Sequence, residues 1–300
     1  MEHPQQGAGI VAGLTAYWVW GLLTIYWKQL HGFGAFELIG WRITLASVVM
    51  AIALTVTRRW GHLAVVWRDR HLLGRVAIAA TLLTVNWTGY VWAVVNGRVL
   101  ETALAYFIAP LGTVAIGVVV FHERLRPVQI LALGLAAASV VVLTVSYGRV
   151  PWLALAIAAT WAVYGYLKRQ VPLTPLESMA AESFLLVVPA VLLITLVASR
   201  ADSVPSSASG LELAYVMFTG VATVAPLMLF AYAAQRVPLT IIGPMQYLVP
   251  LMNFLIGWLI YDEPLPASRM VGFALVWACL VLLTIESAHR SRRLRLATTA

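Results

Sequence analysis

The sequence predicts an all-α integral membrane protein of about ten transmembrane helices, arranged as two inverted five-helix repeats. Three observations predict it. First, 61% of the residues are hydrophobic, 11% are Asp, Glu, Lys or Arg, and the mean hydropathy is +0.87. A soluble domain carries roughly 25% charge, so this chain cannot cover itself with a water-compatible surface. Second, the apolar residues fall into runs of the length, about 20 residues, that an α-helix needs to cross a bilayer. Third, the fourth and fifth runs match the ninth and tenth at one fixed offset of 140.

The runs cover roughly 8–27, 37–57, 72–95, 101–121, 128–147, 151–168, 178–198, 212–234, 240–260 and 267–286. Between them lie short segments with turn and charge signals, such as Arg58–Trp60, His122–Pro127 and Ser203–Ser207. No Lys or Arg precedes the first run, which is long enough to span, so it is expected to stay as a helix rather than be cleaved as a signal peptide. The net charge of +8 sits between the apolar runs instead of forming a patch, which argues against nucleic acid as a partner. The single cysteine, Cys279, lies inside a run; it excludes an intramolecular disulfide, and no Cys/His spacing suggests a metal. No cofactor is expected.

Lys and Arg set the expected orientation. With the N-terminus cytoplasmic, the inward loops and the tail hold 14 of them, from Arg58 to the Arg290–Arg295 cluster. The outward loops hold 5: Lys28, Arg98, Arg149, Arg200 and Arg269. The positive-inside rule then puts both termini in the cytoplasm. The basic tail is expected to anchor topology and to attract anionic headgroups.

The repeat divides the chain at 1–147 and 148–300. Across 35 positions there are 11 identities, among them Pro110 with Pro250, Gly117 with Gly257 and Glu123 with Glu263. The same offset sets Glu37 on Glu177, Arg42 on Glu182 and Thr55 on Thr195. The first and sixth runs match more weakly, with Val19, Gly21 and Leu23 on Val163, Gly165 and Leu167. Five helices is an odd number, so the second copy crosses the membrane in the opposite sense. Inverted repeats of this kind recur in secondary transporters, whose central site lies near the midplane between the copies.

The residues also resemble a known family over nearly the whole chain. Tyr17-Trp18-Val19-Trp20-Gly21, Glu37-Leu38 with Arg42, Asn86-Trp87, Tyr90-Val91-Trp92-Ala93 and Tyr106-Phe107-Ile108 carry the resemblance in the first half. Pro151-Trp152, Tyr164-Gly165, Glu182, Pro226-Leu227, Gln246-Tyr247 and Glu263-Pro264-Leu265 carry it in the second. The chain resembles EamA-type permeases of the drug/metabolite transporter superfamily, most of all the RarD branch. Where that branch commonly has a small hydroxyl, Gly and Asn near the fourth helix, this chain has Ala103, Ala105 and Ala109. The resemblance implies a permease for a small organic solute.

Polar groups at membrane depth are the candidate site. A charge at the bilayer centre costs roughly 2.5–3.5 kcal/mol on translocon scales and should face a cavity or a partner. Arg42 lies about 9 Å into its run at 1.5 Å per residue. It reads either as an anion-attracting or gating residue or as a structural ion pair. Glu182 stands at the equivalent position of the second copy and is the candidate coupling carboxylate; the two are expected to face one central cavity and to influence each other. Asn86, Tyr90, Tyr106, Gln246, Tyr247 and Trp20 are candidate cavity residues, with flat faces and a few polar handles. Aromatic residues near run ends read equally well as interfacial belts. Glu37 and Glu177, at run starts, read as helix N-terminal anions. Glu123 and Glu263 read as loop anchors, and Lys28 as a snorkelling end residue.

The expected function is a membrane permease moving a small-molecule solute by alternating access. No Gly-rich Lys-Ser/Thr loop offers ATP a site. Proton or ion coupling, exchange and facilitated diffusion stay open, as does homodimerisation. A channel or a non-transporting scaffold is the alternative. An intramembrane enzyme fits less well, because the six histidines all lie in loops or tails.

Overall fold

The computed structural model describes residues 4–122, 127–168, 170–237, 242 and 245–299. Glu123, Arg124, Arg126 and Arg169 lie outside the described residues, as do the side chains of the tail arginines. The described elements are all helical. In chain order they are α1 (Pro4–Lys28), α2 (Ala35–Thr57), α3 (Trp60–Arg68), α4 (Arg70–Val95), α5 (Val99–Phe121) and α6 (Pro127–Tyr147). They continue as α7 (Trp152–Lys168), α8 (Pro175–Val197), α9 (Val204–Ser207), α10 (Gly210–Ala234), α11 (Leu248–Leu255) and α12 (Ala267–Thr299). A π-helical turn, Ile256–Ile260, continues α11.

Among the described residues seven helices are long and apolar enough to cross a membrane: α1, α2, α4, α6, α8, α10 and the Ala267–Glu286 part of α12. The other three expected spans fall on shorter apolar stretches. They are Val99–Gly112 within α5, the 17 residues of α7, and Leu248–Ile260. The start of the ninth expected span, residues 240, 241, 243 and 244, lies outside the described residues, and Gln246 and Tyr247 form a turn ahead of α11. Two helices fall in segments read from sequence as loops. In α3, Leu63 and Val66 are buried, while Trp60, Val65 and Trp67 are exposed. One apolar face in nine residues packs a helix but does not span a bilayer.

Local sequence explains where several helices start. Asp69 accepts the backbone N–H groups of His71 (2.8 Å) and Leu72 (3.2 Å) to begin α4. Thr174 with Glu177 and Ser209 with Glu212 form reciprocal capping boxes at α8 and α10. Two helices are capped from a distance. The Glu263 carboxylate accepts the N–H groups of Val99 (2.5 Å) and Leu100 (2.9 Å), which fastens α5 to the segment before α12. Glu37 accepts the N–H of Val204 at 2.9 Å and so holds α9 against the start of α2.

Packing follows a reciprocal pattern. α2 lies on α8, α6 on α12, α1 on α10 and α4 on α7. One core joins α1, α2 and α4 through Trp27, Leu38, Ile43 and Val91. Another joins α5, α7, α11 and α12 through Leu104, Ile157, Phe254 and Phe273. The outward faces are as apolar as the core: Val11, Leu14, Trp18 and Leu22 line one side of α1, exposed. In water such stripes would aggregate; in lipid they are the solvated surface.

Close helix crossings use small residues, as membrane packing demands. A Cβ on Gly220 of α10 would stand 2.6 Å from the Leu45 carbonyl oxygen of α2, a backbone atom that cannot swing aside. Gly220→Ala is therefore expected to push α2 and α10 apart and to cost about 1–3 kcal/mol, as overpacking does. Gly134→Ala meets nothing within 4 Å and serves as the control. Thermal unfolding in detergent should show the first variant less stable than the parent and the second unchanged or slightly more stable.

Candidate functional site

α2 carries Arg42 into the packed interior, where the residue is 5% exposed. Its guanidinium lies 3.8 Å from the Trp87 ring centroid and 5.3 Å from that of Trp27. Tyr26, Tyr90 and Tyr106 are within electrostatic range of it. Among the described residues no carboxylate pairs with Arg42, and its buried Nε has no hydrogen-bond partner. A desolvated cation–π contact contributes about 2 kcal/mol. Burying an ion costs several kcal/mol. Aromatic contacts alone therefore leave this cation under-compensated, with a planar fork of N–H donors built to meet an anion.

Of the surrounding polar groups, Asn86, Tyr90 and Tyr106 are hydrogen-bonded, while the buried Trp27 Nε1 has no partner. Asn86 is fully buried; its amide donates to the Ile157 carbonyl (2.8 Å) and to Thr160 (3.1 Å), while Tyr106 donates to its oxygen at 3.3 Å. One side chain thus ties α4, α5 and α7 together. Tyr90 shares a 2.8 Å hydrogen bond with Thr24, which donates to Asn253 at 2.7 Å; Asn253 in turn donates to Thr102 at 3.2 Å. This chain of four crosses α4, α1, α11 and α5. The Tyr90 and Tyr106 rings stand 5.9 Å apart, and Trp161 and Tyr164 of α7 extend the aromatic row at 6.1 and 5.8 Å.

The structure brings Arg42, Asn86, Tyr90 and Tyr106 together. Trp20 packs against the same core but faces Tyr17 (5.4 Å) and Phe230 (5.7 Å). Gln246 is exposed in the turn before α11, and Tyr247, half-buried, packs against the α5–α12 core. Glu182 has its own surroundings. It is 2% exposed, paired with Lys168 at 2.7 Å, and takes hydrogen bonds from Tyr164 and Ser178, each 3.2 Å. It is not among the groups that act on Arg42.

Residues missed by sequence reasoning are Trp27, Thr24, Thr102, Asn253 and Lys168. Asn253, the one Asn of the ninth run, carried the clearest signal. Lys168 was counted as a loop charge, yet it turns back over the first turns of α8.

At one end of the bundle, charges cluster in loops and at helix ends. Glu101 pairs with Arg149 and lies 3.9 Å from Arg98. Lys28 donates to the Val94 carbonyl at 3.3 Å and lies over the Tyr261 ring. Burial pushes the Glu263 carboxyl up, against the downward pull of its two N–H donors and of Lys28. At the other end Arg59, before α3, lies 3.7 Å from Glu177 of α8. No group of His, Cys, Asp or Glu that could hold a metal occurs among the described residues.

A bundle with apolar flanks and its polar groups joined helix to helix is the build of a multi-pass membrane protein. Comparison with known proteins gives the family. The model of the EamA-like transporter family matches twice, over residues 7–145 and 149–285. Protein RarD of Streptomyces exfoliatus is 40% identical, over 97% of this chain and 92% of that one. An uncharacterized transporter of Bacillus subtilis, YojE, is 32% identical over 97% of this chain and 98% of its own. Protein RarD of Escherichia coli is 30% identical over 98% of this chain and 99% of its own. A solved crystal structure, 20% identical, superposes with a TM-score of 0.57 over 93% of this chain and 98% of that one, and shows the shared fold. The chain belongs to the EamA-like transporter family and is a RarD-like permease of the drug/metabolite transporter superfamily. It is a membrane transporter, in a family of transporters rather than of enzymes.

The Lys168–Glu182 pair makes a testable asymmetry. The lysine side chain is 25% exposed and the glutamate 2%. Lys168→Ala strands the deeper charge, so it should cost on the order of 3 kcal/mol. Glu182→Ala leaves a lysine that can reach water and should cost less. Unfolding of the two variants in detergent checks the order.

Proposed function

We propose that this chain is a secondary transporter that moves a small organic solute by alternating access between two inverted halves, 1–147 and 148–300. The observation that carries the reading is reciprocity. The family model matches two successive segments of equal character, and the helices pack in exchanged pairs, α1 on α10 as α7 on α4. The loop anchors exchange too: Glu37 of α2 holds α9, which follows α8, and Glu177 of α8 faces Arg59 before α3, which follows α2. Ten membrane crossings with both termini cytoplasmic follow from this reading and from the Lys/Arg bias.

In this reading the Arg42 cage is part of the central site, with Asn86, Tyr90 and Tyr106 as its walls. Trp20, Gln246 and Tyr247 are proposed to line the path when the halves rock. Glu182 remains the proposed coupling carboxylate; breaking its pair with Lys168 would link protonation to opening at the cytoplasmic end. Proton coupling and a homodimer are both compatible with the bundle.

The test uses the near absence of native thiols. In a Cys279→Ala background, Asn96→Cys and Gln235→Cys probe the loops after α4 and α10, both exposed. An impermeant maleimide added to intact cells should label the first and reach the second only after permeabilisation. Equal labelling from one side would sink the inverted arrangement. In liposomes, saturable counterflow of a labelled solute marks a carrier; ohmic flux would mark a channel instead, and absence of flux a scaffold.

A further inference from the structure

We propose that the solute is an organic anion with a flat apolar body, bound through its carboxylate or an equivalent oxyanion to Arg42 between Trp87 and Trp27. The inference rests on the carrier reading in taking the bound anion as cargo; the binding site itself stands on geometry. Arg42 is 95% buried by its 5% exposure, and among the described residues it has neither a counter-ion nor an acceptor for Nε. Every other buried charge described in the helices is answered: Glu182 by Lys168, Glu101 by Arg149, Glu37 by the Val204 N–H and Trp41. A purely structural arginine would be answered as well.

The walls define the rest of the ligand. The Trp87 ring centroid sits 3.8 Å from the guanidinium carbon and that of Trp27 5.3 Å, and Tyr90 and Tyr106 stand within electrostatic range. Trp87 and Tyr106 are half-buried, so the cage is not sealed within the core. Their neighbours Asn86 and Thr24 spend their hydrogen bonds on other helices. Little polar capacity is left for a sugar or a zwitterion's ammonium group, and a guanidinium repels an amine. A small planar acid uses what is offered: the fork takes two oxygens and the rings take the apolar face.

The halves differ here in a way that fits. At the equivalent place in the second half stands Glu182, already neutralised by Lys168. At the offset of 144 that relates the first and sixth runs, the equivalent of Lys168 is Thr24, an uncharged residue bonded to Tyr90 and Asn253. The first half therefore holds a lone cation where the second holds one member of an ion pair.

The experiment uses purified full-length protein in detergent and four probes of one size: phenylacetate, benzenesulfonate, benzyl alcohol and benzylammonium. Native tryptophan fluorescence and unfolding temperature report binding. The two anions should bind saturably and raise the unfolding temperature, while the alcohol and the amine should not. Arg42→Lys keeps the charge but loses the fork, and should weaken anion binding about tenfold. Arg42→Met should abolish anion binding without lowering the stability of the ligand-free protein, because it removes an unanswered charge. Binding of the amine or the alcohol as tight as that of phenylacetate overturns the proposal. So does anion binding that survives Arg42→Met, binding of none of the four, or an Arg42→Met protein that is less stable than the parent. Anion binding without counterflow in liposomes would instead defeat the carrier reading and leave the anion site standing.

Discussion

A bilayer core offers no water, so each polar group on these helices must find its partner on the protein. That constraint shapes the whole bundle. Threonines that face outward turn their hydroxyls back to the carbonyl four residues earlier, as Thr55, Thr81 and Thr144 do. Two that face inward, Thr24 and Thr102, join a network between helices, the Tyr90–Thr24–Asn253–Thr102 chain. Apolar contact alone cannot order such a bundle, since lipid is as good a neighbour as leucine. Specificity comes from hydrogen bonds such as Asn86 to the Ile157 carbonyl and from close approaches such as Gly220 on Leu45.

The same constraint makes Arg42 informative. In a soluble protein an arginine without a counter-ion borrows water. Here the residue is enclosed by Trp27, Trp87 and tyrosines, and its stabilisation by ring faces falls short of the cost of burial. A site that is costly to keep and still present is the usual mark of function, because binding restores what folding gave up.

Much of this was legible in sequence because lipid imposes a long, simple signal. Runs of about 20 apolar residues placed the spanning helices, and Arg42, Asn86, Tyr90 and Tyr106 stood out as polar or aromatic groups within them. The rest depended on features with no such signal. α3 spends nine residues on one buried face, and α9 only four, too few for a period to show. Lys168 and Glu182 are 14 residues apart across a turn, so their meeting is decided by how α7 returns onto α8. Trp27 sits at a run end, where belt residues are the ordinary expectation; only the packing of α1 against α4 and α10 turns it toward Arg42. Gln246 and Tyr247 lie in an apolar run that hydropathy reads as continuous, although the chain turns there.

The charge arrangement of the two halves shows what duplication can and cannot keep. In the proposed inverted arrangement, packing contacts are reciprocal because each satisfies the same geometry from both sides of an axis: α2 meets α8 at its own counterpart, and Glu37 and Glu177 each brace the segment that follows the other's helix. A site near that axis is under no such rule, since a solute has one orientation and needs different groups at its two ends. Arg42 and Glu182 are equivalent in the repeat and opposite in sign, and among the described residues only the second has a counter-ion of its own. In the proposed inverted arrangement that one difference gives a two-fold frame a polarised interior, and polarity of this kind would let a symmetric scaffold hold an asymmetric anion.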